Sequence, residues 1–210
     1  MDSKERMIER HLKGRDIHDE RVLDAMRAVD RSLFVPEDLQ HHTYADSPLP
    51  IGKEQTISQP YIVAYMAQEL GLSEDDRVLE IGTGCGYNAA VLGQLADEVY
   101  SIEIIKWLAD LAQKNLAKID SDNISARFGD GYDGWPEEAP FDAIELTAAP
   151  PKIPETLKQQ LKIGGKLLAP VGRLQQQLQL IERVSEDEFT EQLLMPVRFV
   201  PMTGQAESSS

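Results

Sequence analysis

Arg77-Val-Leu-Glu-Ile81 runs straight into Gly82-Thr-Gly84-Cys-Gly86, and a helical pattern begins at Tyr87. A short apolar strand, a glycine turn and a helix in that order make the first βα unit of an open sheet, with the turn at the strand's carboxyl end. The alternation then repeats. Apolar runs at 98–103, 124–128, 142–147 and 165–170 read as strands, and the spacing predicts helices over 87–96, 106–119 and 154–161. Strands separated by helical crossovers must lie parallel, with helices covering both faces. The expected fold class is therefore α/β, a Rossmann-like doubly wound, mostly parallel sheet.

The flanks add to this core. Met7, Ile8, Leu12 and then Val22, Leu23, Met26 and Val29 recur at helical spacing, with a break at Gly14 to Asp19, so two helices are expected within 1–42. Residues 44–60 hold Pro48, Pro50, Gly52 and Pro60 and show no period, so they read as a long irregular loop, a length more often functional than passive. Pro60 opens a helix that Gly71 closes. Residues 177–184 and 192–200 read as a closing antiparallel hairpin, and 205–210 as a frayed tail. One domain is expected, with a helical extension and loop over 1–60, a sheet core over 61–172, a closing hairpin and following segment over 173–204, and the tail.

The glycine loop narrows the ligand. A dinucleotide fingerprint, GxGxxG, would need glycine at position 87, where Tyr87 stands, and there is no GK[ST] phosphate loop. Instead, acids recur at successive strand ends. Glu80 precedes the loop, Glu103 ends the second strand at the distance where an acid accepts from a ribose diol, and Gly129-Asp130-Gly131 follows the third. Acids with no neighbouring Arg or Lys suit a cationic ligand that bears a ribose and no phosphate. S-adenosyl-L-methionine, with its sulfonium and ammonium groups, fits that description.

The composition agrees. The chain has 210 residues and a net charge of −15, with no basic segment, which opposes attraction to nucleic acid or an anionic membrane. Cys85 is the sole cysteine, so an intrachain disulfide and a cysteine zinc cluster are both excluded. The four histidines show no HExxH spacing, so no metal is expected. No apolar leader or stretch of about 18 apolar residues occurs, and the expectation is a cytoplasmic monomer.

Longer stretches carry a resemblance. HLKGRDIHDERVLDAM (11–26), Phe34-Val-Pro36, PLPIG (48–52), QTISQPY (55–61), RVLEIGTGCGYNAAVL (77–92), GDG (129–131), LTAAPPKIP (146–154), QLKIGGKLLAPVG (160–172) and FVPMTG (199–204) resemble the protein-L-isoaspartate O-methyltransferase family. The glycine loop is common to many methyltransferases; QTISQPY is far more particular. The resemblance implies methyl transfer from S-adenosyl-L-methionine to the free α-carboxylate of L-isoaspartyl residues in damaged proteins and peptides, leaving S-adenosyl-L-homocysteine. The ester closes to a succinimide that reopens partly to L-aspartate.

It also implies site residues. Gln55, Thr56 and Ile57 would cover the cofactor, with Glu80, Gly82, Thr83, Gly84, Glu103, Asp130 and Gly131 contacting it. Ser58 would be the catalytic position, orienting the acceptor; an N-cap for the next helix is its structural alternative. Pro60, Tyr61, Val200 and Met202 would line the peptide site. No general base is needed, because a carboxylate with a pKa of about 4 is already an anion. An anionic acceptor also gains nothing from the field of an acidic protein, so recognition is expected to be local and insensitive to salt. Glu54 stands where the family usually has Gly, Cys85 where Ser is usual, and Glu145 interrupts an apolar strand. A methyltransferase with a different acceptor, or a cofactor-binding adaptor without turnover, are the other readings. The intact QTISQPY loop argues against the first, and only Glu54 hints at the second.

Overall fold

The computed structural model describes residues 3–208. Helix α1 (Ser3–Met7) widens into a π-helical stretch, Ile8–Lys13. Helix α2 (Glu20–Ala28) starts where the Asp19 side chain accepts from the Arg21 and Val22 amides. Two 3-10 turns follow, Arg31–Phe34 and Glu37–His42.

The stretch expected to be an irregular loop contains a small hairpin instead. Strand β1 (Leu49–Gly52) pairs antiparallel with β2 (Gln55–Ile57). Lys53 and Glu54 form the two-residue connection, with φ of 55° and 59°. Two consecutive positive φ values match the right-handed twist of a hairpin, but they are normally reached by Asn, Asp or Gly. That missing turn chemistry hid the hairpin from the sequence. Helix α3 (Pro60–Leu70) follows as expected, closed by Gly71 at φ 64°.

The main sheet has seven strands. Five are parallel: β3 (Arg77–Ile81), β4 (Glu98–Glu103), β5 (Ile124–Phe128), β6 (Phe141–Leu146) and β7 (Leu161–Val171). Strands β8 (Gln176–Arg183) and β9 (Phe189–Val197) complete it as the antiparallel closing hairpin, giving the order β5-β4-β3-β6-β7-β8-β9. Between the strands run α4 (Tyr87–Leu92), α5 (Lys106–Leu116) and α6 (Glu155–Gln159). Alternate residues of each strand face opposite layers. Val78, Val99 and Ala143 face one core with Leu23, Met26, Met66 and Leu92. Leu79, Ile102, Ile144 and Leu167 face a second core with Phe141 and Leu157.

The tail departs from expectation. Residues 205–208 form a helical turn, α7 (Gln205–Ser208), with Ala206 buried and the Gln205 amide donating to Asp130 at 2.9 Å. The rest of that expectation, residues 209 and 210, lies outside the described residues.

Candidate functional site

The chain leaves β3 toward β4 on one side and reaches β6 on the other, so the strand order reverses between β3 and β6. In open α/β sheets, ligands bind at such a reversal, beyond the carboxyl ends of the strands. A cavity of ≈ 840 Å³, measured out to its mouth, lies there.

Glycine builds its floor. Gly82, Gly84 and Gly86 all have positive φ, and a Cβ on Gly82 would stand 2.3 Å from Thr147 Oγ1. The loop is tied down from two sides. Thr147 donates to the Gly82 carbonyl at 2.5 Å, and the Gly84 amide donates to Glu103 at 2.8 Å. Glu103 also accepts from the Ile105 amide at 2.8 Å. Burial raises the Glu103 pKa, and those backbone amides oppose the rise. Each carboxylate oxygen keeps a lone pair, so Glu103 can still accept from a ligand.

Gly131 packs against Ile81 so closely that a Cβ would meet it at 2.5 Å. This brings the Asp130 carboxylate to the cavity wall, where it accepts from the Tyr132 amide. The hairpin closes the top. Its Ile51 lies over Gly84, and its Gly52 lies against Trp107. Gln55, Thr56, Ile57 and Ser58 form the wall beneath it.

Most sequence-predicted residues thus meet around one space: Gln55, Thr56, Ile57, Ser58, Gly82, Thr83, Gly84, Glu103, Asp130, Gly131, Val200 and Met202 all line it. Two do not. Glu80 is fully buried, with its carboxylate accepting from Ser101 and from Asn88 on the α4 side of the sheet. Alternation along β3 dictates this: Glu80 shares a face with Val78, below the loop. Pro60 is buried at the first turn of α3 and lines neither this cavity nor the groove beside it.

That groove, of ≈ 1180 Å³, shares Thr56, Ser58, Thr147 and Val200 with the cavity. Ser58 stands in the common wall. Its hydroxyl makes no hydrogen bond among the described residues, and the N-cap of α3 is Gln59 without a side-chain bond, so the capping alternative fails. Arg31 fixes the Ser58 carbonyl from below with a 2.8 Å bond. Tyr61 borders the groove, its hydroxyl donating to Asp16 at 3.1 Å. Burial, with Asp16 second, pushes the Tyr61 pKa up to about 12, so it stays protonated. Val200-Pro201-Met202 hangs on Ala149, which donates to the Val200 carbonyl at 2.8 Å and accepts from the Met202 amide at 2.9 Å.

Sequence reasoning missed several residues. Thr147 and Ala148 were legible in principle, because they follow β6 at the strand reversal. Arg31 gave no signal; an arginine in an amphipathic segment reads as surface, yet here it is fully buried over the Tyr87 ring. Cys85 lines the cavity, but burial pushes its thiol up to about 11, so it is an inert packing residue.

Among the described residues, the cavity lining holds the carboxylates of Glu103 and Asp130 and no Lys, Arg or His. That donor set fits a cationic ligand with hydroxyl groups and rejects a phosphate. Together with the doubly wound sheet, it places the protein among the S-adenosylmethionine-dependent methyltransferases. The family model for protein-L-isoaspartate(D-aspartate) O-methyltransferase matches residues 2–207, and the chain belongs to that family. The protein-L-isoaspartate O-methyltransferase of Opitutus terrae is 54% identical over 202 residues, 95% of this chain and 86% of the relative. Protein-L-isoaspartate O-methyltransferase 2 of Shewanella sediminis is 53% identical over 99% of this chain and 86% of its own. Among solved structures, a protein-L-isoaspartate O-methyltransferase superposes with a TM-score of 0.89 at 30% identity, over 97% of this chain and 67% of that one. The beta-aspartate methyltransferase of Plasmodium falciparum in complex with S-adenosyl-L-homocysteine gives 0.85 at 26%, over 97% and 99%.

Proposed function

We propose that the protein methylates the free α-carboxylate of L-isoaspartyl residues in damaged proteins and peptides, using S-adenosyl-L-methionine, and so returns them through a succinimide toward L-aspartate. The observation that carries this reading is the shared wall. A cavity lined, among the described residues, by no Lys, Arg or His meets a neighbouring groove at Thr56, Ser58, Thr147 and Val200, so a small donor in one can face a peptide in the other.

The bound cofactor supplies an activated methyl group on a sulfonium. Everything else falls to the chain. Glu103 takes the ribose hydroxyls, Asp130 and Gly131 the adenine edge, and the Gly82-Thr83-Gly84 backbone the amino-acid end. Gln55, Thr56 and Ile57 cover the donor and keep water away. Ser58 donates to one acceptor oxygen and turns the other toward the methyl group. Because carboxylate oxygen is a weak nucleophile, this alignment supplies most of the rate. Val200 and Met202, held on Ala149, and Tyr61 form the banks for the peptide main chain. A groove that reads backbone suits a substrate defined by damage and not by sequence. Glu80 acts only through the loop above it.

The domain organisation of the notional extension, sheet core, hairpin segment and tail is part of this reading: one unit over 1–210 supplies both walls. The same holds for a monomer acting in the cytoplasm on proteins, without nucleic acid or membrane partners. The −15 charge opposes nucleic acid and anionic membrane as partners, and no helix among the described residues is long and apolar enough to cross a membrane. The test is labelled methyl transfer to a synthetic L-isoaspartyl peptide beside its L-aspartyl twin. Labelling of the first alone is expected; equal labelling, or none, overturns the proposal.

A further inference from the structure

The chain carries 36 acidic residues against 21 basic ones, yet among the described residues no Asp or Glu lines the groove that meets Ser58. Its only charged lining residues among those described are Arg15 and Arg198. The two differ in what they have left to offer. Arg15 stacks on the Tyr61 ring at 3.6 Å and pairs with Asp46 at 3.2 Å. Asp46 is itself occupied by the Gln59 side chain and the Tyr61 amide, and Asp16 by the Tyr61 hydroxyl. Arg15 is thus a fixed, half-compensated charge. Arg198 is exposed and makes no hydrogen bond or ion pair among the described residues. It follows β9 directly and precedes the Val200–Met202 segment that hangs on Ala149, so its backbone is held on both sides while its guanidinium has no partner among the described residues.

We propose that Arg198, seconded by Arg15, makes this groove selective for acceptor segments with an acidic side chain near the damaged residue. The inference rests on the methyl-transfer reading above and adds a substrate preference to it. An acidic protein repels an anionic peptide at long range, so a local cation is where such a peptide can be held. A guanidinium forks onto a carboxylate with two parallel hydrogen bonds, which a Gln or Lys neighbour cannot reproduce. The pair stays solvent-exposed, so its effect on KM is about two- to fivefold. It is also screened by salt, which replaces the salt-insensitive recognition expected from charge alone.

The experiment uses the full chain and three matched sets of L-isoaspartyl peptides, with Glu, Gln or Lys placed within two residues on either side of the damage. At low salt the Glu set should show the lowest KM and the Lys set the highest, and about 0.5 M salt, where the Debye length is well below its value of about 8 Å at physiological salt, should erase the difference. In Arg198→Gln the Glu-to-Gln ratio should fall to about one, and in Arg198→Glu it should invert. Equal KM values for all three sets in the wild type overturn the proposal while leaving the methyl-transfer reading intact. So does a loss in Arg198→Gln that is uniform across the sets, which marks a structural role. Failure of the wild type to methylate any L-isoaspartyl peptide removes the underlying reading instead.

Discussion

Replacing Glu145 by Leu should make the protein more stable, and by an amount that depends on pH. Strands β3 and β6 pair in a register that sets Glu80 directly beside Glu145 on the same face of the sheet. Both carboxyls are fully buried, with Asn88 bonded to Glu80 at 2.9 Å and to Glu145 at 3.3 Å. Among the described residues, Glu145 Oε2 has no partner. Burial first, and the charge of Glu80 second, push the Glu145 pKa from 4.5 up to about 8, and burial pushes Glu80 up to about 7. A carboxyl whose pKa is raised on folding binds more protons folded than unfolded. Its cost is therefore absent below pH 4.5, grows as pH rises, and is complete above about pH 8. At 1.36 kcal/mol per unit, Glu145 alone costs on the order of 3 kcal/mol at pH 7. Because the two acids titrate as a pair, Leu also relieves Glu80. Denaturant unfolding at pH 5 and pH 8 is the assay. Glu145→Leu should gain about 3 kcal/mol more at pH 8 than at pH 5. A gain that is the same at both pH values, or a loss at pH 8, refutes a buried pair of acids whose pKa values are raised by folding.

Three other perturbations follow from the geometry. Ser58→Ala should lower kcat about a hundredfold with S-adenosyl-L-homocysteine affinity unchanged by calorimetry, since only the acceptor is misplaced; normal turnover would remove Ser58 from the mechanism. Glu103→Gln keeps one amide-accepting oxygen for the loop but loses a charged acceptor, so S-adenosyl-L-homocysteine should bind about tenfold more weakly; unchanged affinity would undo the ribose assignment. Glu54→Gly should stabilise by about 0.5–1 kcal/mol, because φ at this position is 59° and relief of the left-handed strain exceeds glycine's extra chain entropy. A lower melting temperature in that variant would contradict the strain.

The parallel core was legible because its central strands β3, β4 and β6 are buried on both faces and read as continuous apolar runs broken by glycine and helical periods. The placement of Glu103 and Asp130 followed from the same logic, since the ends of parallel strands share one edge of the sheet. Other features were illegible for definite reasons. The β1–β2 hairpin turns on Lys53 and Glu54, residues that do not announce a left-handed turn. Glu80 lies two residues before Gly82, so its direction depends on strand alternation, which sequence proximity to the loop obscured. Arg31 is a charged residue in the interior whose burial is decided by long-range packing that no local pattern reports, while Glu145 was visible as an acid in an apolar strand but its neighbour Glu80 across the β3–β6 pair was not. The tail turn forms because Asp130, 75 residues away, accepts from its first amide.

The central claim is that one wall separates donor from acceptor and that Ser58 stands in it. The most direct test is the structure of the protein with S-adenosyl-L-homocysteine and an L-isoaspartyl peptide bound together. The account predicts the nucleoside between Glu103 and Asp130, the peptide main chain along the groove between Gln59 and Val200, and the isoaspartyl α-carboxylate about 3 Å from Ser58 Oγ. A peptide bound elsewhere, or a carboxylate turned away from Ser58 toward another donor, would contradict it.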